Sequence, residues 1–284
     1  MAPLRLTKHH GLGNDFLVFV DSRHEVPLTA ELARALCDRH RGLGADGLIR
    51  LGPGTSRVAA SMELRNADGG VAEISGNGLR CAGQALVEGG VAVAGEVVVE
   101  TAVGERKLWV GRTGADGSAA VRAEMGRPRV LGEAPEWARG DVKSGMRVDM
   151  GNPHLVLLVA DVGSVDLVQR GAHAEASVPG GVNVEFITPG PGVDELTLRT
   201  WERGAGETLA CGSGSCAAAV AARTWGLVGE RVVVRNPGGP LQVEREKDGT
   251  VTLAGPTQLV AVVEVSLEWL AAAPRLAQGG ALPA

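Results

Sequence analysis

Three landmarks recur along this chain at nearly one spacing. The stretch "GLGNDFLVFVD" (11–21) is matched in kind by "MGNPHLVLLVAD" (150–161), each a Gly-Asn turn running into an apolar strand. Their asparagines, Asn14 and Asn152, are offset by 138 (152 − 14). Asn66 and Glu202 are offset by 136 (202 − 66), as are Ser75 and Cys211 (211 − 75). A period near 137 is too long for a solenoid unit and suits two similar domains, each large enough to hold its own core. In a chain of 284 residues, that leaves room for two copies and little else.

Within each half, Val/Leu-rich runs alternate with short helical patterns. "TAELARALCDRHRG" (29–42) predicts a helix capped by Thr29 and stopped at Gly42. "GEVVVETAVGERKLWVG" (95–111) and "GERVVVRNPGGPLQVERE" (229–246) predict hairpins. The tail "AAAPRLAQGGALPA" (271–284) reads as frayed. His9, His24 and His40 read as surface residues.

The repeated landmark with chemical content is X-Gly-(Asn/Ser)-Gly before a helix of small residues: "SGNGLRCAGQALVEGG" in the first half, "CGSGSCAAAVAARTWG" in the second. Glycines let a backbone approach a ligand closely, and the first N–H groups of a helix favour an anion such as a carboxylate. A thiol at that position is expected to ionise more readily, because the helix terminus lowers its pKa. Taken singly, either segment reads as a glycine turn before a core helix, and Cys211 as a small buried hydrophobe. The duplicated spacing favours a two-part reactive site instead. Neither "GLGADG" nor "GSG" completes a phosphate-binding loop, and no lysine follows.

Charge and composition exclude other classes. A net charge of −5 argues against a nucleic-acid or anionic-membrane partner, and without any tyrosine a base-stacking platform is not expected. No apolar run reaches membrane-span length, and the N-terminal sequence carries no apolar h-region, so the expected location is the cytoplasm. The four cysteines (37, 81, 211, 216) are there expected as thiols. None forms a CxxC pair, and no metal is expected. Cys81, inside the first small-residue helix, reads as structural.

"KHHGLGNDF", "RGLGADGLI", "RNADGG…SGNGLRCAG", "GNPH", "GVNVEF" and "ERGAGETLACGSGSCAAA" occur in the order and spacing of the diaminopimelate epimerase family, which the chain resembles over roughly residues 5–265. The resemblance implies an isomerase that needs no cofactor and interconverts LL- and meso-2,6-diaminopimelate, for lysine and peptidoglycan synthesis. It implies an α/β (α+β) fold of two pseudo-symmetric domains, each a curled, mainly antiparallel sheet around a central helix, with the active site in the interdomain cleft. The expected N-terminal lobe is residues 1–122 plus 263–284, and the C-terminal lobe 123–262. In that family a cysteine from each domain faces the substrate α-carbon from opposite sides, one as thiolate and one as thiol, which is acid–base catalysis by two groups with split protonation states.

By this resemblance Cys211 is one catalytic residue, and Ser75 stands at the second catalytic cysteine position. His154 and Glu202 match residues that tune the two thiols. Gly76, Asn77, Gly212 and Ser213 match the groups that hold the reacting carboxylate. Asn66, Asn152, Asn183, Glu202 and Arg203 match those that bind the distal amino-carboxylate end, Arg203 being suited to bidentate recognition. Asn14 matches a further substrate contact. A glutamine contact found in some family members is absent, since Gly47 stands there. The family commonly forms homodimers.

Ser75 leaves three alternatives open. It is an introduced Cys→Ser change that traps substrate, a natural variant that still epimerises, or the mark of different chemistry with one thiolate base; the drift of neighbouring positions in "EISGNGLRC" favours the second. Two further readings stand beside the epimerase: a related proline-racemase-like epimerase or dehydratase, and a catalytically weak amino-acid-binding homologue. A cyclic imino acid has no distal carboxylate for Asn66, Asn183 and Arg203, which argues against the first.

Overall fold

The computed structural model describes residues 3–72 and 74–276. It divides into two units, residues 1–121 with 256–284 and residues 122–255.

The first unit contains β1 (Leu4–Gly11), β2 (Asn14–Val20), α1 (Ala30–Cys37), β3 (Gly47–Gly52), β4 (Ala60–Asn66), α2 (Gly76–Glu88), β5 (Gly95–Thr101) and β6 (Gly104–Val110), and β7 (Ser118–Gly126) begins in it and passes into the second at 121/122. The second contains β8 (Arg129–Glu133), β9 (Val142–Asp149), β10 (Pro153–Val159), α3 (Leu167–Ser177), β11 (Asn183–Pro189), β12 (Glu195–Glu202), β13 (Gly206–Thr208), α4 (Gly212–Thr224), β14 (Arg231–Asn236) and β15 (Gly239–Arg245). β16 (Val251–Val265) and α5 (Leu267–Leu276) are the last elements among the described residues.

Each unit follows one plan. In the first, β1–β2, β3–β4 and β5–β6 pair antiparallel, while β2–β3 and β4–β5 pair parallel across α1 and α2. The strand order returns on itself through β16, which neighbours β7 and pairs with β1. In the second, β9–β10, β11–β12 and β14–β15 are antiparallel and β10–β11 and β12–β14 parallel across α3 and α4. Parallel neighbours need a crossover, which the helices supply. The repeat holds to the residue at its centre: α2 and α4 are both 13 residues long and start 136 apart (212 − 76).

Strand packing explains the small residues of α2 and α4. A Cβ on Gly83 would lie 3.0 Å from both Leu108 Cδ1 and Val110 Cγ2, so β6 leaves no room for a larger side chain. Residues Gly76–Leu86 of α2 are all buried. Its fully buried Leu79 and Leu86 each contribute roughly 1.5–3 kcal/mol of burial free energy.

Both expected hairpins form, as β5–β6 and β14–β15. Thr29 caps α1, its Oγ1 accepting the Leu32 N–H at 3.1 Å. That helix ends at Cys37 rather than Gly42. Asp38 ends it by accepting the His40 and Arg41 N–H groups, both at 2.8 Å, and Gly44 turns with φ +73°. The tail read as frayed begins inside α5, whose Trp269 and Leu270 pack on the core around α1; residues 277–284 lie outside the described residues.

The expected boundary at 262/263 falls within β16. This strand pairs with β15 over Val251–Ala254 and with β1 over Gln258–Val265, so it changes unit at 255/256. His24 and His40 are exposed, but His9 is not a surface residue. It is fully buried, with Nδ1 at 3.1 Å from Gln84 Oε1 of α2.

Candidate active site

Ser75 and Cys211 are the N-caps of α2 and α4. Both have extended backbones, and both side chains accept the N–H three residues on: Ser75 Oγ from Gly78 at 3.0 Å, Cys211 Sγ from Gly214 at 3.3 Å. The pairs Gly76–Asn77 and Gly212–Ser213 form the first buried turn of each helix.

In the first unit Asn77 Nδ2 donates to Asn14 Oδ1 (3.2 Å), and the fully buried Arg80 donates to Asn77 Oδ1 (2.7 Å) and the Gly76 carbonyl (3.1 Å). Asn14 Nδ2 in turn donates to Asp46 Oδ2 (2.8 Å), and Arg39 braces Asp46 and Asp15 together. Ser75 is half-buried and borders a cavity of about 300 Å³ that reaches Leu64, Val71 and Thr101. Asn66 ends β4 with an exposed side chain that joins none of these bonds within the described residues.

The second unit is more polar. His154 is buried on β10, its Nδ1 2.8 Å from Glu185 Oε1 and its Nε2 3.0 Å from Asn152 Oδ1. Asn152 Nδ2 donates to Ser213 Oγ at 3.5 Å, and Ser213 Oγ lies 3.6 Å from Cys211 Sγ. Glu202, at the end of β12, accepts from Thr208 Oγ1 at 2.6 Å. Asn183 is committed to the frame: it donates to the Pro153 carbonyl (3.0 Å) and accepts the Arg203 N–H (3.0 Å). The Arg203 side chain is exposed, reaching the Gly180 carbonyl at 3.4 Å.

The electrostatics reverse one expectation. Burial pushes the Cys211 thiol well above its usual pKa, and the carboxylates of Glu202 and Glu185 push it further. The Gly214 N–H and the Ser213 hydroxyl pull in the other direction, but the helix terminus does not win. Desolvation of a charge inside a core outweighs half a unit of helix-dipole charge. The same burial raises Glu202, partly offset by its hydrogen bonds to Thr208 and Cys211. Cys81, fully buried in α2, is pushed up to about 12 by burial, consistent with a structural thiol.

The sequence reading did not single out Glu185, Thr208, Asp46 or Arg80. Glu185 had a readable signal: an acidic residue inside the apolar run "NVEFITP", every neighbour of which is buried up to Ile187. Its counterpart in the first unit is Ile49 (185 − 49 = 136), and that of His154 is Phe16 (154 − 16 = 138). The strand registers agree, since Phe16 pairs with Gly47 and His154 with Asn183. Beneath one cap lies an aromatic–aliphatic pair, beneath the other an acid–imidazole pair.

Among the described residues no cluster of three or more His, Cys, Asp or Glu is placed to hold a metal ion, and no helix is long and apolar enough to cross a membrane.

The sequence profile of the diaminopimelate epimerase family matches residues 6–131 and 146–260. The chain is 40% identical over 276 residues to the diaminopimelate epimerase of Desulfitobacterium hafniense, covering 90% of this chain and 96% of that one. It is 38% identical over 297 residues to that of Mycobacterium avium, covering 96% and 100%. Among solved structures, a probable proline racemase from Agrobacterium radiobacter superposes with a TM-score of 0.73 at 21% identity, covering 95% of each chain. A hydroxyproline epimerase from Agrobacterium vitis gives 0.71 at 20%, covering 93% of this chain and 92% of that one. At such identities these two likenesses speak for the fold alone.

Proposed function

The chain belongs to the diaminopimelate epimerase family, and we propose that it inverts one α-carbon of 2,6-diaminopimelate, interconverting the LL and meso forms by removing a proton and returning one to the opposite face. The observation that carries this reading is the pair of helix N-caps on one repeat, one of them a thiol held by the Gly214 N–H.

In this reading Cys211, as thiolate, takes the α-proton, and Ser75 O–H is the proton donor on the other face, recovering its proton from solvent through its half-buried position. The N–H groups at Gly76–Asn77 and Gly212–Ser213 bind the carboxylate of the reacting centre, where helix N-termini favour an anion. The proton leaving Cys211 has a neighbouring acceptor in Glu202. His154 acts on the thiol through Asn152 and Ser213. Arg203, Asn66, Asn14, Asn152 and Asn183 form or frame the subsite for the distal amino-carboxylate end, with the exposed Arg203 guanidinium supplying the paired donors. No cofactor takes part, and the protein acts in the cytoplasm.

The test is incubation with LL-diaminopimelate in D₂O, following α-deuterium and the LL/meso ratio. Deuteration with inversion is expected, and Cys211→Ala should abolish both. Deuteration with retention would mean one-base chemistry. Binding without exchange would mean an amino-acid binder, and exchange on proline or hydroxyproline in place of diaminopimelate would move the protein to the cyclic imino acids.

A further inference from the structure

Glu185 is a buried acid to which neither the family motif nor the proposed chemistry assigns a task. Its side chain is wholly inside the second unit. One oxygen, Oε1, meets His154 Nδ1 at 2.8 Å, and the other, Oε2, has no hydrogen-bond partner among the described residues. A lone carboxylate in such a place is costly, and a cation or a shared proton is what makes it tolerable. The first unit shows that the fold does not require this pair, because Ile49 and Phe16 fill the same two positions.

The hydrogen bonds beyond His154 have a direction. An amide oxygen only accepts, so the contact from His154 Nε2 to Asn152 Oδ1 (3.0 Å) requires a proton on Nε2. With its oxygen so occupied, Asn152 turns its Nδ2 to Ser213 Oγ (3.5 Å). Having accepted there, the Ser213 hydroxyl has its own hydrogen to give, and Cys211 Sγ lies 3.6 Å away. A carboxylate beside a neutral ring would draw the single ring proton to Nδ1; the contact at Nε2 therefore calls for one proton more, shared between Glu185 and Nδ1, and Nε2 then stays protonated whichever partner holds it.

The chain in the first unit runs the other way. Arg80 donates to Asn77, Asn77 to Asn14, and Asn14 to Asp46, leading away from the cap. Ser75 is not a member of it.

We propose that Glu185 is a positioning residue that acts on Cys211 at a distance: it keeps the proton on His154 that orders Asn152 and Ser213, so that Ser213 donates to the sulfur and favours the thiolate. This rests on the proposed role of Cys211 as the base. Without Glu185 the neutral ring can present a bare Nε2; Asn152 then flips its amide, and Ser213 donates to Asn152 instead. The ionisable groups facing this chain are Glu185 on β11, Glu202 on β12, Cys211 at the start of α4, and Asp149 at the end of β9, whose carboxyl is lowered against its own burial chiefly by the Arg129 side chain and the Gly151 N–H.

The test reads the chain without relying on turnover. Thiolate formation at Cys211 is titrated by ultraviolet difference absorbance against Cys211→Ala. Loss of the Glu185 anion by itself would lower the pH midpoint; the positioning role requires that Glu185→Leu raise it instead, by up to about one unit, the scale of one hydrogen bond to a charged group. Ser213→Ala should raise it by a similar amount, and the double variant by no more than either alone, because both act through one contact. Additive shifts, or an unchanged or lowered midpoint with Glu185→Leu, overturn the proposal. So does a bare Nε2 on His154 by ¹⁵N NMR of the unaltered protein. If Glu185→Leu does not fold, His154→Phe/Glu185→Ile copies the pair at Phe16 and Ile49 into the second unit; it should raise the midpoint equally and silence Ser213→Ala. Failure of the epimerase assay sinks the function proposed above and leaves these titrations to decide the role of Glu185.

Discussion

Ser75 and Cys211 stand at the same step of the repeat and hold the same local bond, each closing on the N–H three residues ahead, at 3.0 and 3.3 Å. What differs is the atom and the surroundings: an oxygen beside a cavity, half-buried, and a sulfur 3% exposed above two carboxylates. Position is therefore common to the two halves, and proton affinity is not.

Ser75→Cys should raise the epimerisation rate by about 100-fold or more, the range over which a well-matched proton-transfer group contributes. The Gly78 N–H that now meets Oγ remains available to sulfur. The measurement is kcat with LL-diaminopimelate. An unchanged or lower kcat would mean that the hydroxyl is not what limits turnover.

Glu202→Gln should shift the pH–rate profile toward acid. The thiol of Cys211 is raised by burial first and by the Glu202 carboxylate next, so the reactive thiolate is present at high pH and lost as pH falls through the raised value. Removing that anion moves the loss to lower pH. A shift toward base would instead show that Glu202 must receive the thiol proton for the reaction to proceed.

Gly214→Ala and Gly78→Ala should differ. A Cβ on Gly214 would meet Glu185 Oε1 at 2.6 Å and Cys211 Sγ at 3.1 Å, whereas one on Gly78 meets Ser75 Cβ at 3.2 Å and Ile49 Cδ1 at 3.5 Å. Overpacking of the first kind typically costs roughly 1–3 kcal/mol. Gly214→Ala should lower both Tm and turnover, and Gly78→Ala should be the milder change in both. Equal losses would show that the cap is strained alike in the two units.

His9 predicts an acid limit to stability. Burial lowers its pKa from 6.5 to about 4, against the opposing pull of the Gln84 hydrogen bond. The unfolded chain therefore binds a proton between these values that the folded chain does not, so stability is full above about 6.5 and declines toward pH 4. A shift of this size corresponds to about 3 kcal/mol. Urea midpoints measured from pH 7 to pH 4 should fall more steeply for the unaltered protein than for His9→Phe. Parallel curves would remove His9 from the account.

Much of this was legible in the residues. The repeat survives in its turn and cap residues, which have to keep their identity because few side chains satisfy a helix N-terminus or a Gly-Asn turn. Hence Asn14 and Asn152, and Ser75 and Cys211, could be laid over one another before any strand was placed. Glu185 shows what was not legible. Its partnership with His154 depends on the parallel register of β10 and β11, set by long-range packing that no local pattern records. His9 was misread for a related reason: nothing in "KHHGLG" says that α2 closes over the first of the two histidines and not the second. The Cys211 thiol was misjudged because sequence reveals the helix dipole but not the depth at which the sulfur sits.

The pairs Phe16–Ile49 and His154–Glu185 bear on how such a chain could arise. A symmetric dimer of one ancestral copy would carry the same two residues under both caps, and any mutation that suited one would be imposed on the other. Joining two copies in one reading frame frees each to change alone. One could keep an oily floor while the other acquired an acid and an imidazole. In the proposed reaction, division of labour between proton giver and proton taker would then be an inheritance of the fusion, written in four residues that no longer have to agree.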